Sequence, residues 1–134
     1  MTKQDFLHMR WLIRKLPDIG WDVAQKNAIA TKSTTVITGM PRGGGNHDQM
    51  ADATIMLAAA RDAYREVLSE LESMQEKLSP MIDALEDPNE RAVMRMRYLH
   101  RMSPDEIAGL IFRTDRMVYI YLNRAEKKII RMSS

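Results

Sequence analysis

The sequence predicts an all-α protein, a long helical hairpin or coiled-coil arm followed by a C-terminal three-helix unit. Three observations carry that expectation. A heptad seam runs through the middle of the chain, the last third is punctuated by helix-start signals, and no stretch alternates apolar and polar residues over a useful strand length.

The first expected helix covers residues 2–16. Thr2 with Asp5 three residues later makes a capping-box-like start, and Phe6, Met9, Ile13 and Leu16 recur at helical spacing with Leu12 widening the apolar face. Pro17 ends or kinks it. A second, weaker helix fits residues 18–31, with Trp21, Ala24 and Ala28 on one side and Gly20 against it. Residues 32–47 hold three consecutive glycines, a proline and β-branched residues, which predicts a flexible connector. The PRGGG run within it lacks the Lys-Ser/Thr of a phosphate-binding loop, and no strand precedes it.

From Asp48 the periodicity strengthens. Met50, Ala53, Leu57, Ala60, Tyr64, Val67, Leu71, Met74, Leu78, Met81 and Leu85 are spaced alternately by three and four, a heptad seam. A helix over 48–79 would be about 47 Å long, and so narrow a stripe needs a partner helix. The N-terminal helix folded back would serve, and so would a second copy of the chain paired through residues 50–85. Ser79 and Pro80 predict a break and a short helix over 80–86. The arm then ends, and residues 87–134 form the second domain.

In that domain Asp87-Pro88-Asn89-Glu90 and Ser103-Pro104-Asp105-Glu106 each give a cap, a proline in the first turn and an acid three residues after the cap. Thr114 with Asp115 caps a last helix that turns Val118, Leu122, Ala125 and Ile129 inward.

Charge is segregated in the same way. Residues 48–90 carry three Lys/Arg against eleven Asp/Glu, whereas residues 91–134 carry ten against four. A basic C-terminal third points to nucleic acid, with a solvated, salt-bridged helix surface as the plainer alternative. The absence of cysteine excludes disulfides and thiolate metal sites, and a reducing, cytoplasmic compartment is the expectation. No apolar run approaches the ~20 residues that span a bilayer. His8, His47 and His100 lie far apart, so neither a metal site nor a catalytic dyad is expected, and no cofactor or enzymatic activity is expected. The twelve methionines supply adaptable packing.

The text DPNERAVMRMRYLHRMSPDEIAGLIFRTDRMVYIYLNRAEKKI, residues 87–129, resembles region 4 of the sigma-70 family of RNA polymerase subunits. Glu90-Arg91, Arg97-Tyr98, Ser103, Glu106-Ile107-Ala108, Leu110, Thr114, Val118, Leu122 and Arg124-Ala125 fall in that family's order and spacing. The whole chain resembles the small phage-encoded ArpU/RinA-like regulators of late transcription that share such a domain. The resemblance implies a helix-turn-helix on double-stranded DNA in a bacterial host cell, with host RNA polymerase as a further partner. It departs from the family at the turn, where Phe112 and Arg113 stand in place of Gly and an apolar residue. That predicts a reshaped turn or an earlier start to the last helix.

In a helix-turn-helix the second helix lies in the major groove. Counting from Thr114, Asp115, Arg116, Tyr119, Ile120 and Asn123 face outward. Asp115, Arg116, Tyr119 and Asn123 are the candidates for base edges. Arg97, Arg101, Arg113, Arg124, Lys127, Lys128 and Arg131 are the candidates for phosphate, with Arg95 beside them. Arg124 has a bland alternative, a salt bridge to Glu106 or another local acid. The run MVYIYL presents Tyr119, Ile120 and Tyr121 where polar readers are expected, which suits a protein interface as well as DNA. An assembly protein, such as a small terminase subunit-like packaging factor, is therefore the second functional expectation.

Overall fold

The computed structural model describes the backbone of residues 1–39 and 45–133, and the side chains of residues 1–29 and 52–133. Every regular element among the described residues is helical: α1 Lys3–Gly39, α2 Gly45–Asp83, α3 Pro88–Met94 continuing as a π-helical stretch Arg95–Leu99, α4 Pro104–Ile111 and α5 Asp115–Met132.

The start of α1 is the reciprocal cap read from the sequence. The Thr2 amide donates to the Asp5 carboxylate at 2.8 Å, and the Asp5 amide donates to the Thr2 hydroxyl at 3.2 Å. The Thr2 backbone bond is the main reason the Asp5 carboxyl is held below its ordinary value.

Three expected breaks are absent. The helix does not end at Pro17, α1 continues through residues 32–39 where a connector was expected, and α2 begins at Gly45 and runs through Pro80 to Asp83. A helix-interior proline costs about 3 kcal/mol. Pro17 is flanked by buried Ile13 and Leu16, and Pro80 by fully buried Leu78 and Ile82. Burying two such side chains is worth about 3–6 kcal/mol, enough to hold the helix on course. The β-branched residues of 32–39 lower helix propensity by only a few tenths of a kcal/mol each, so the composition weakens a helix there without forbidding it. Residues 40–44, with most of the PRGGG run, lie outside the described residues.

Compactness divides the chain differently from the expected boundary at 86/87. One unit comprises Met1–Ile13 and Glu70–Ser134, the other Arg14–Ser69. In the Arg14–Ser69 unit, Leu16, Leu57 and Ala60 are buried, and a methyl group at Gly20 would meet the Tyr64 ring at 3.7 Å. The Asp22 and Lys26 side chains pair along α1 at 2.9 Å.

The other unit joins the start of the chain to its end. Phe6, Met9 and Leu12 of α1, Leu71, Leu78 and Ile82 of α2, Leu85, Val93 and Met94, Tyr98, Ile107, and Val118, Ala125 and Ile129 of α5 are buried at its centre. The Phe6 and Tyr98 rings meet at 5.3 Å between centroids, tilted by 54°. His8 meets Glu70 at 2.6 Å.

The seam residues Leu57, Ala60, Leu71, Leu78 and Leu85 are thus covered within a single chain.

Candidate nucleic-acid interface

Local chemistry fixes the last helices. Asp87 caps α3 by accepting from the Asn89 amide, Ser103 caps α4 by accepting from the Glu106 amide at 3.2 Å, and Thr114 caps α5 by accepting from the Met117 amide at 3.3 Å. Between the first two caps the helix widens. The His100 amide donates to the Arg95 carbonyl, five residues back, and Arg101 then takes a left-handed conformation at φ 60.

The turn between α4 and α5 keeps the left-handed residue that glycine usually supplies, and Phe112 adopts it at φ 55, ψ 42. The last helix does not start earlier. For an L-residue with a large side chain this costs about 1–2 kcal/mol.

Helix α5 packs on α3 and α4 through Val118, Tyr121, Leu122, Ala125, Glu126 and Ile129. Tyr121, expected outside, is therefore part of the packed face. On the opposite face, Arg116, Ile120, Asn123 and Arg124, Lys127 and Arg131 follow one another at spacings of three and four residues. All but the half-buried Ile120 are exposed. Among the described residues none of Arg113, Arg116, Arg124, Lys127 and Arg131 makes an ion pair or side-chain hydrogen bond. The pairing of Arg124 with Glu106 is not formed; the Glu106 carboxylate instead accepts from the Ser103 hydroxyl at 3.1 Å.

Other predicted positions are engaged elsewhere. Lys128 donates to Glu90 at 2.7 Å, and the Glu90 residue is only 1% exposed. Arg97 is half-buried and donates to the Met102 carbonyl at 3.0 Å, while Arg95 pairs with Asp83. Arg101 is exposed. Asp115 is exposed, and the neighbouring Asp105 carboxyl, first as a partner for a shared proton, raises its pKa above the usual carboxylate value.

Sequence reasoning missed two residues. Glu126 is buried on α5 and accepts from the Tyr98 hydroxyl, with Arg10 of α1 3.6 Å away. Burial, and then the Glu126 charge, push the Tyr98 hydroxyl well above its ordinary range. The periodicity of α5 placed position 126 beside Leu122 and Ile129; only a distant tyrosine and arginine make an acid tolerable there. Among the described residues no group of three or more His, Cys, Asp or Glu could hold a metal ion, and no helix is long and apolar enough to cross a membrane.

Residues 26–130 match a family model described as "Protein of unknown function (DUF1492)". The chain belongs to the DUF1492 family. No curated protein and no solved structure matches it. The matched span takes in α3, α4 and α5 as far as Ile130, with Arg116, Arg124 and Lys127 of the exposed basic face but not Arg131, and it begins after Phe6, Met9, Arg10 and Leu12, which this DUF1492 chain buries or pairs in the same unit as α5.

Proposed function

We propose that this chain is a DNA-binding transcriptional regulator of the phage ArpU/RinA-like kind, in which α4 and α5 act as a sigma region 4-like helix-turn-helix in the cytoplasm of a bacterial host. One observation carries the reading. Arg116, Arg124, Lys127 and Arg131 form a ridge on the exposed face of α5, unpaired among the described residues. A helix that turns one face to the core and keeps unneutralised cations on the other is suited to a phosphate backbone. Arg116, in the first turn, is placed to donate two hydrogen bonds to guanine, and Asn123 to reach a base edge or a phosphate. Tyr119 belongs with them, and Arg113 and Arg101 add phosphate contacts. Host RNA polymerase is the proposed protein partner, and the role is non-enzymatic.

The test is a salt-titrated binding assay with the purified full-length protein on duplex DNA. Five phosphate contacts, from Arg101, Arg113, Arg124, Lys127 and Arg131, predict a log-log salt slope near −4.5, and hence roughly a five-hundredfold loss of affinity between 50 and 200 mM salt. Lys127→Ala lowers affinity for all sequences alike and the slope by about 1, whereas Arg116→Ala relaxes preference at one base position by about 1–3 kcal/mol. Absence of binding at low salt, with and without polymerase, would overturn the reading.

A second reading, an assembly or packaging protein of the small terminase subunit kind, is favoured by the exposure of Leu110, Phe112 and Tyr119. Mass in solution separates the two: a ring of many subunits supports packaging, a monomer or dimer the regulator.

A further inference from the structure

The turn preceding α5 carries an unusual residue for its conformation. Phe112 sits in the left-handed region at φ 55 and is 93% exposed, with Leu110 and Tyr119 more than half exposed nearby in sequence. Glycine or asparagine would fill that backbone position with less strain, so the fold does not need the ring. Nothing within the described chain covers it. It is followed at once by Arg113 and, one helical turn on, by Arg116, both exposed and unpaired among the described residues, and the basic ridge of α5 continues beyond them. An apolar group at the head of an unneutralised cationic ridge is complementary to a surface that is anionic outside and offers an apolar feature within.

We propose that Phe112 reads thymine: its ring packs against the C5-methyl group in the major groove of duplex DNA. This rests on the reading of α5 as the DNA-facing helix and deepens it. A turn leading into a helix that lies in the major groove brings its exposed side chain to that groove, where the thymine methyl is the apolar feature of the base edges. The ridge arginines supply affinity without sequence information, and Phe112 adds a preference that depends on one methyl group.

The experiment selects a preferred duplex from a random pool with the full-length protein, then replaces each thymine in turn by deoxyuridine, which removes only the methyl. The wild type is expected to lose about fourfold in affinity at one position, the value of one buried methyl group. Phe112→Gly loses affinity for the thymine duplex, shows no further loss with deoxyuridine, and keeps or raises its melting temperature because the strained position is relieved. Phe112→Asn, also tolerant of that conformation, behaves in the same way. Deoxyuridine without effect on the wild type overturns the proposal, as does unchanged binding by both variants. A change of solution mass on substitution also overturns it and assigns the ring to a second copy of the chain. If the wild type binds no duplex, the DNA reading fails and this inference with it; if it binds and only the methyl is silent, this inference alone fails.

Discussion

Tyr98 and Glu126 show how a buried acid is kept. The Tyr98 hydroxyl donates to the Glu126 carboxylate inside a unit whose apolar side chains exclude water, and Arg10 supplies a nearby positive charge. Replacing Tyr98 by Phe is expected to cost about 1–3 kcal/mol in chemical denaturation, because the carboxylate loses its buried donor. The hydroxyl also sets a pH limit. Its folded pKa is raised above 10.0, so its contribution is complete below pH 10 and declines as pH rises further, where the unfolded tyrosine ionises and the folded one does not. The melting temperature of the wild type should therefore fall more steeply above pH 10 than that of Tyr98→Phe. Lys127 and Lys128 divide along the same lines although they are neighbours in sequence. Lys128→Met leaves the buried Glu90 carboxylate without its cation and should lower the urea midpoint by the equivalent of about 1–3 kcal/mol, discounted for the half-exposed lysine. Lys127→Met should leave the midpoint unchanged and act only on DNA affinity and its salt slope.

At the scale of elements, the long helices show burial outweighing local punctuation. Pro17 and Pro80 were legible as breaks because proline removes a backbone donor wherever it stands. What the residue pattern could not show was that Ile13, Leu16, Leu78 and Ile82, on either side of those prolines, would all be buried. Gly20 in α1 is the opposite case, a weak helix former with no structural requirement for glycine. A Cβ there meets the Tyr64 ring at an ordinary 3.7 Å, so Gly20→Ala should stabilise the fold by about 1 kcal/mol. Circular-dichroism melting checks it, and a lower melting temperature would show that the contact is tighter than its distance indicates. The caps at Asp87, Ser103 and Thr114 lie where the sequence places them, because capping is local chemistry within four residues.

At the scale of the whole molecule, the first residues of the chain belong to the same unit as the last. Phe6 is 1% exposed and its ring meets Tyr98, although the span matched by the family model begins only at residue 26. Phe6→Ala should therefore cost about 3–5 kcal/mol, as large-to-small changes in a packed core do, and should lower the melting transition monitored by near-ultraviolet signals. An effect below 1 kcal/mol would mean that the N-terminal segment is an accessory to this core.

By itself the sequence determined the all-helical class, the inward positions Val118, Leu122, Ala125 and Ile129 of the last helix, its start at a capping threonine, and the concentration of cations in the last third. These follow from period, capping and composition, which act over a few residues. Only the tertiary structure decided which cations are left unpaired, that Tyr121 is packed, that Phe112 takes the left-handed turn, and that Arg10 and Tyr98 stand beside Glu126. Those outcomes depend on which residues distant in sequence are brought within a few ångströms, where burial and pairing energies exceed local preferences.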